Sequence, residues 1–340
     1  MRLGITPRNW LAAQPFARRS AIIAATWGGA LPTRLTSAPT ITANQTGVGN
    51  ARDTWPADCS RVDQIAVPLP RGGVSRVHLC YPAASPALHA VRNKLVVMVN
   101  GHWEAYLSER NPNTGSTHMM YRLLQEGFHV LAVCMPTDGF NASQSFAKLD
   151  TTPVTILMHD FSVLEADGVA PLRFFLDGVI VGLDYALNLL GFTTADAIGI
   201  SGGGWTAEMV SALDTRIRLT IPVFASVPVG LRVAAGGPCD NGDWEQLPAR
   251  SYWAMLGSYE TVYVLGCIDP GRKRVQYLSS GNPGEPLFNV RTVLSQVSAY
   301  QARIDAQVPT GQHVIVLNTT STGHWYDTTM INEIAALLAA

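Results

Sequence analysis

Five residues constrain this chain more than any others: Gly199-Ile200-Ser201-Gly202-Gly203. A short apolar run, Asp196-Ala197-Ile198, precedes them, and a segment with helical spacing, Trp205 to Leu213, follows. Strand, Gly-x-Ser-x-Gly and helix form the layout of a nucleophile elbow. The turn is so tight that side chains two before and two after the serine would collide. Glycine at both positions removes the clash. The strain lifts the serine hydroxyl above the sheet edge, where the next helix N-terminus favours a developing oxyanion. Glycine and serine are also ordinary turn residues, so the five residues taken alone fit a flexible loop equally well. The surrounding pattern decides.

That pattern is an alternation of strands and helices from residue 62 onward. Residues 64–69 and 75–81 flank Arg71-Gly72-Gly73 and read as a hairpin. Residues 94–100 and 128–134 are continuous apolar runs, as expected of strands buried on both faces. Helices are expected at about 116–126 and 171–190, the second with Phe175, Val179, Leu183, Ala186, Leu187 and Leu190 on one face. Proline suits the first turn of that helix and Gly191 its end. Residues 197–200 lead into the elbow. Strands are expected at 218–224, 274–278 and 313–317, and helices at about 289–306 and 328–339. A hairpin followed by strand–helix units implies an α/β fold with a mostly parallel, eight-stranded sheet flanked by helices. Residues 1–60 read as an N-terminal leader or arm, irregular over 31–60, and 61–340 as one domain. The aromatic-rich stretch 227–270 is the longest break in the alternation and a candidate cap or cleft wall.

Composition narrows the function classes. Net charge is −1, and only 14% of residues are charged. No basic run or basic helix face is present, so a nucleic-acid partner is not expected. No apolar stretch is long enough to span a membrane. The five cysteines form no C-x-x-C pair. Cys80 and Cys134 lie in apolar runs and read as buried thiols, while a disulfide involving Cys59 or Cys239 stays open. Arg18-Arg19 ahead of residues 20–27 loosely matches a twin-arginine export signal. Gly28-Gly29 interrupts that stretch, however, and no A-x-A site follows. An arm packed on the domain or on a partner is the expected reading. The compartment and the oligomeric state are left open.

A serine nucleophile needs a base and an acid to orient it. The base is expected in the loop after the last strand, which reads Thr319-Thr320-Ser321-Thr322-Gly323-His324-Trp325-Tyr326-Asp327; His324 fits. The acid is expected after the penultimate strand, where Glu285 is the one carboxylate in residues 279–286. Asp243 and Glu245 are alternatives, Asp269 precedes the strand, and Asp327 reads as the cap of the closing helix. The oxyanion hole should use the backbone N–H of Gly202 and a second N–H at His102 or Trp103, in the turn Asn100-Gly101-His102-Trp103-Glu104. The His102 side chain is expected to brace that turn. His118, His129 and His159 lack metal-ligand spacing with one another, so no metal is expected. No phosphate-binding glycine pattern follows a strand, so no nucleotide cofactor is expected either.

These residues together resemble the α/β-hydrolase superfamily over roughly 62–340. The likeness is greatest to bacterial serine esterases of the acetyl-xylan-esterase-like or dipeptidyl-peptidase-like type. It rests on Gly101-His102, on Met135-Pro136 with Gly139 and Asn141, on Gly199 to Trp205 with Ala212-Leu213-Asp214-Thr215-Arg216-Ile217, and on Asp243 to Gln246. Such relatives place an aspartate, then cysteines and a phenylalanine, after the penultimate strand; here Asn282-Pro283-Gly284-Glu285-Pro286-Leu287-Phe288 fills that site. The resemblance implies cleavage of carboxylic esters through an acyl-enzyme, with a small-molecule or carbohydrate ester as substrate and a peptidase as the lesser variant. The alternative is a weakly active or inactive binding or assembly subunit, motivated by the altered acid loop, the leader and the aromatic 227–270 segment.

Overall fold

A computed structural model describes residues 7–45, 58–84, 87–102, 115–142, 144–157, 159–235, 244–246, 252, 257–280, 290–321 and 323–340. The strands are β1 (Thr40–Thr42), β2 (Cys59–Pro68), β3 (Val74–Pro82), β4 (Leu95–Val99), β5 (His129–Val133), β6 (Ser145–Ala147), β7 (Pro153–Thr155), β8 (Ala195–Ile200), β9 (Ile217–Val223), β10 (Lys273–Ser279) and β11 (His313–Asn318). The helices are α1 (Pro7–Trp27), α2 (Arg34–Ser37), α3 (Gly115–Gln125), α4 (Ser162–Ala166), α5 (Leu172–Leu190), α6 (Gly202–Leu213), α7 (Val229–Ala234), α8 (Tyr259–Cys267), α9 (Leu294–Asp305) and α10 (Thr328–Ala339).

One sheet of nine strands runs in the order β1-β2-β3-β5-β4-β8-β9-β10-β11. The six from β5 to β11 are mutually parallel, and β3, β2 and β1 continue the sheet antiparallel. The expected eight strands are joined by β1, which pairs with β2 at the sheet edge. A three-residue strand is too short for alternation to be visible in sequence.

The central strands are apolar throughout because each feeds two cores. Leu95, Val97 and Val99 of β4 enter one hydrophobic cluster, and Val96 and Met98 enter the other. In β5, Leu131 and Val133 divide from Val130 and Ala132 in the same way. Side chains alternate faces along a strand, so only a sheet covered on both sides requires every residue to be apolar. The first cluster holds Phe175, Val179, Leu183 and Leu187 of α5 and Val210 of α6; the second holds Leu123 of α3 and Ile334 of α10. Two glycines let α5 lie close on β3. A methyl at Gly178 would strike the Ser75 side chain, and one at Gly182 would come within 2.7 Å of Val77.

The arm is not irregular throughout. Residues 7–27 form α1, which lies against α6 and α8. Arg19 is 8% exposed and donates to the carbonyls of Ala212 and Leu265 and to the Asp269 carboxylate. Trp27 donates its indole N–H to Asp177 on α5, at 2.6 Å. Arg19 thus ends on two carbonyls and a carboxylate inside the domain, sharing the Leu265 carbonyl and Asp269 with Arg272. Truncation as Arg19→Ala should destabilise the fold by about 2–3 kcal/mol, because buried hydrogen bonds to a charged group are lost and polar partners stay buried. Urea denaturation followed by fluorescence reads this; an unchanged midpoint would mean that α1 is an ornament on an independent domain.

Candidate active site

The chain order places one crevice. From β4 the chain moves through α3 to β5 on one side, and from β8 it moves through α6 to β9 on the other. The carboxyl ends of β4 and β8 are therefore the switch point at which open α/β sheets bind ligands. Ser201 follows β8 there, and Asn100-Gly101-His102 follows β4.

Ser201 has φ 56° and ψ −130°, a left-handed region that a side-chain-bearing residue adopts only under constraint. Its N–H donates to the Val223 carbonyl at 3.0 Å, and its own carbonyl receives the Trp205 N–H at 3.1 Å. A Cβ at Gly199 would collide with the Gly203 carbonyl, and one at Gly203 with the carbonyls of Val99 and Asn100. A Cβ at Gly202 would run into the imidazole of His102. The turn after β4 closes over the elbow, and a Cβ at Gly101 would lie 3.0 Å from that of Ser201. Gly202 is the first residue of α6, so its N–H is one that the helix itself does not use. Ser201 is half-buried.

His324 comes to the same edge from β11. Its ring is 6.0 Å from that of Phe224, the residue directly after the Val223 that binds the Ser201 N–H. Its loop is folded by Asn318, which accepts from the Ser321 N–H and donates to Asp327, and by Ser321, which donates to the Gly323 carbonyl. Asp327 accepts from Thr320 through one oxygen and from the Met330 N–H through the other, so it caps α10 as expected.

The acids divide differently from the sequence expectation. Glu285 and Asp243 lie outside the described residues, as does Trp103. Ser280 N–H donates to the Asn318 carbonyl and Val290 N–H to that of Ser279, each at 2.8 Å. Asp269 pairs with Arg19 and Arg272. Glu245 is fully buried and faces histidines that the triad reading did not pair with it, His102 at 3.4 Å and His159 at 3.9 Å. His159 in turn faces Asp138 at 3.3 Å. Asp138 carries no cue in the sequence, and His159 stands out only as a histidine without local ligand spacing.

The described residues of the aromatic stretch include four rings packed in the interior. Trp244, Tyr252, Tyr259 and Tyr263 are buried. Trp244 stacks on Phe175 of α5 with centroids 6.2 Å apart. Tyr252 donates its hydroxyl to the Glu245 carbonyl, and Tyr259 donates to that of Gln246. Trp244, Tyr252 and Tyr259 thus fix the turn that carries Glu245, while Tyr263 donates to the Ser226 carbonyl. Cys80, Cys134, Cys267 and the half-buried Cys59 take part in no disulfide, and Cys239 lies outside the described residues. No described helix is long and apolar enough to cross a membrane.

Charge at the site is set by burial. Desolvation lowers the pKa of His324 from its ordinary 6.5 to about 4, with a smaller push from His102, so the ring is neutral at pH 7. Burial also disfavours charge on His159, but the carboxylates of Asp138 and Glu245 outweigh it and raise that ring to about 9.

No family model matches the sequence, and no curated protein does. Solved structures do. An acetyl xylan esterase from Paenibacillus sp. R4 superposes with TM-score 0.52 at 13% identity, over 100% of this chain and 96% of its own. Acetyl xylan esterase 1 from Thermoanaerobacterium sp. JW/SL YS485 gives TM-score 0.52 at 13% identity, over 98% of each chain. The Pyrococcus furiosus esterase Pf2001 gives 0.51 at 13%, over 87% of this chain and 98% of its own. The fold is that of the α/β-hydrolases.

Because the unfolded chain takes up a proton on His324 more readily than the folded one, the contribution of this site to stability is intact above about pH 6.5. It is lost as the pH falls toward about 4. Thermal denaturation across that window should show His324→Gln losing less stability than the parent, by about 1–2 kcal/mol. Parallel curves would mean that the ring is not buried neutral.

Proposed function

We propose that the protein is a serine hydrolase of carboxylic esters. The single observation that carries this reading is the backbone of Ser201, held at positive φ between β8 and α6 with the β4 turn packed against it. Such strain persists only where the surrounding structure enforces it, and here it presents a hydroxyl to a crevice. Ser201 attacks the ester carbonyl, and His324 takes the hydroxyl proton and returns it to the leaving alcohol. The N–H groups of Gly202 and His102 hold the tetrahedral oxyanion, and water then releases the acyl-enzyme. Glu285 orients His324; its place in the chain directly after β10, which pairs with the β11 strand that leads to His324, supports it over Asp243. The superposed esterases support an ester as substrate, and an acetylated carbohydrate is the substrate class that two of them suggest.

Ser201→Ala should abolish labelling by a fluorophosphonate probe and lower hydrolysis of p-nitrophenyl acetate by about 1,000-fold or more. Glu285→Gln should lower kcat while leaving the labelling site intact, and Asp243→Asn should not. Equal turnover by Ser201→Ala and the parent would remove the reading in favour of a binding or assembly subunit. Since a protonated His324 cannot act as base, kcat/KM should rise through about pH 4 and stay level to neutrality. A midpoint near 6.5 in the steady-state profile would show that His324 is not desolvated in the working enzyme.

A further inference from the structure

The structure assigns a second site beside the elbow: we propose that His102, His159 and Glu245 bind one zinc ion. The three residues come from separate loops, and their ligand atoms lie within 4.8 Å of one another. His102 Nε2 is 3.1 Å from His159 Nδ1 and 3.4 Å from one Glu245 oxygen, and the other oxygen is 3.9 Å from His159 Nδ1. A tetrahedral zinc with nitrogen and oxygen ligands at about 2.0–2.1 Å has ligand–ligand edges of roughly 3.3 Å. The edges from His102 to His159 and from His102 to one Glu245 oxygen already match; the edge from His159, which lies nearer the other oxygen, would close by rotation of the carboxylate. Two histidines and a glutamate are also a donor set that suits zinc and leaves a fourth position for water.

Burial argues in the same direction. Glu245 is fully buried, and neither of its carboxylate oxygens has a hydrogen bond of good geometry. A carboxylate at that depth is costly unless positive charge faces it, and a zinc ion between Glu245 and the two imidazoles would supply that charge in place of a proton on His159. The outer contacts are those of a metal site as well. His159 presents Nε2 to Asp138 at 3.3 Å and Nδ1 to His102 and Glu245, so a metal would take the place of the Nδ1 proton and leave the carboxylate–histidine arrangement that fixes a ligand ring. Phe175 lies edge-on to His159 at 5.9 Å and stacks on Trp244, giving the apolar surround that strengthens such a site. His159 itself is held at φ 59°, a conformation that is enforced rather than preferred. The expectation of no metal rested on local spacing, which cannot see ligands 57 and 86 residues apart.

The ion would clamp the turn after β4 to the Trp244–Gln246 turn and to the loop ahead of α4. Only the consequence for the oxyanion loop rests on the ester-hydrolase reading, since His102 is shared; occupancy does not. The test uses the full chain without an affinity tag, stripped with a chelator and titrated with zinc by calorimetry, with metal content read by mass spectrometry. The expected result is one zinc per chain and a raised thermal midpoint. Glu245→Gln and His159→Asn should each weaken binding by about 100-fold, and Asp138→Asn by about 10-fold or more. Asparagine at 159 tolerates the positive φ, and the metal-free melting curve of each variant checks that it folds. Cobalt in place of zinc should give the visible absorption of a tetrahedral ion. No binding by the parent, or binding that none of the three substitutions weakens, would overturn the site and leave a hydrogen-bonded histidine–carboxylate chain. Fluorophosphonate labelling of Ser201 in the same preparations reads the hydrolase proposal separately.

Discussion

Everything at the carboxyl edge depends on backbone packed against backbone without an intervening side chain. Gly203 lies against the carbonyls of Val99 and Asn100, and Gly199 against the carbonyl of Gly203. Those approaches fix how far β4, β8 and the start of α6 stand from one another. They hold Ser201 in its strained conformation and set the distance from its side chain to Gly101. A single methyl at either elbow glycine would separate the strand from the helix, since well-packed backbone has nowhere to yield.

Beneath the elbow the fold accommodates charges in its interior. Glu208 of α6 and Arg274 of β10 form an ion pair with almost no exposure. Ser226 donates to Glu208 at 2.5 Å, and Arg274 lies over the ring of Tyr263, 4.0 Å from its centroid. Burial raises the Glu208 pKa, against the opposing pull of Arg274. Such a pair stabilises little relative to an apolar one, but removing either partner strands a charge. It therefore ties the orientation of α6, and with it the elbow, to the strand whose end leads into the Glu285 segment. Hydrogen bonding and packing at a distance from the crevice thus bear on the geometry inside it.

Much of the fold was legible because it is written in local periodicity. Continuous apolar runs marked β4 and β5, the spacing from Phe175 to Leu190 marked α5, and Asp327 announced the start of α10. The short elements were not legible. β1 has three residues, and the Trp244–Gln246 turn has no period at all; its position is set by Phe175, Tyr252 and Tyr259, which come from elsewhere in the chain. Aromatic density in 227–270 suggested a cap or a cleft wall, and four of its described rings are buried, because an aromatic ring gains most by leaving water wherever a cavity of its size exists.

The sequence by itself determined that strand, glycine-flanked serine and helix follow one another, and that a histidine follows the last strand, since these are facts of order along the chain. Only the tertiary structure decided that His102, His159 and Glu245 converge, that Asp269 serves Arg19 and Arg272, and that Arg19 is enclosed by the domain. The reason is physical. Local order follows from backbone sterics and side-chain periodicity within a few residues, whereas convergence of distant polar groups depends on how whole elements pack, and a buried charge takes whichever partner that packing brings near.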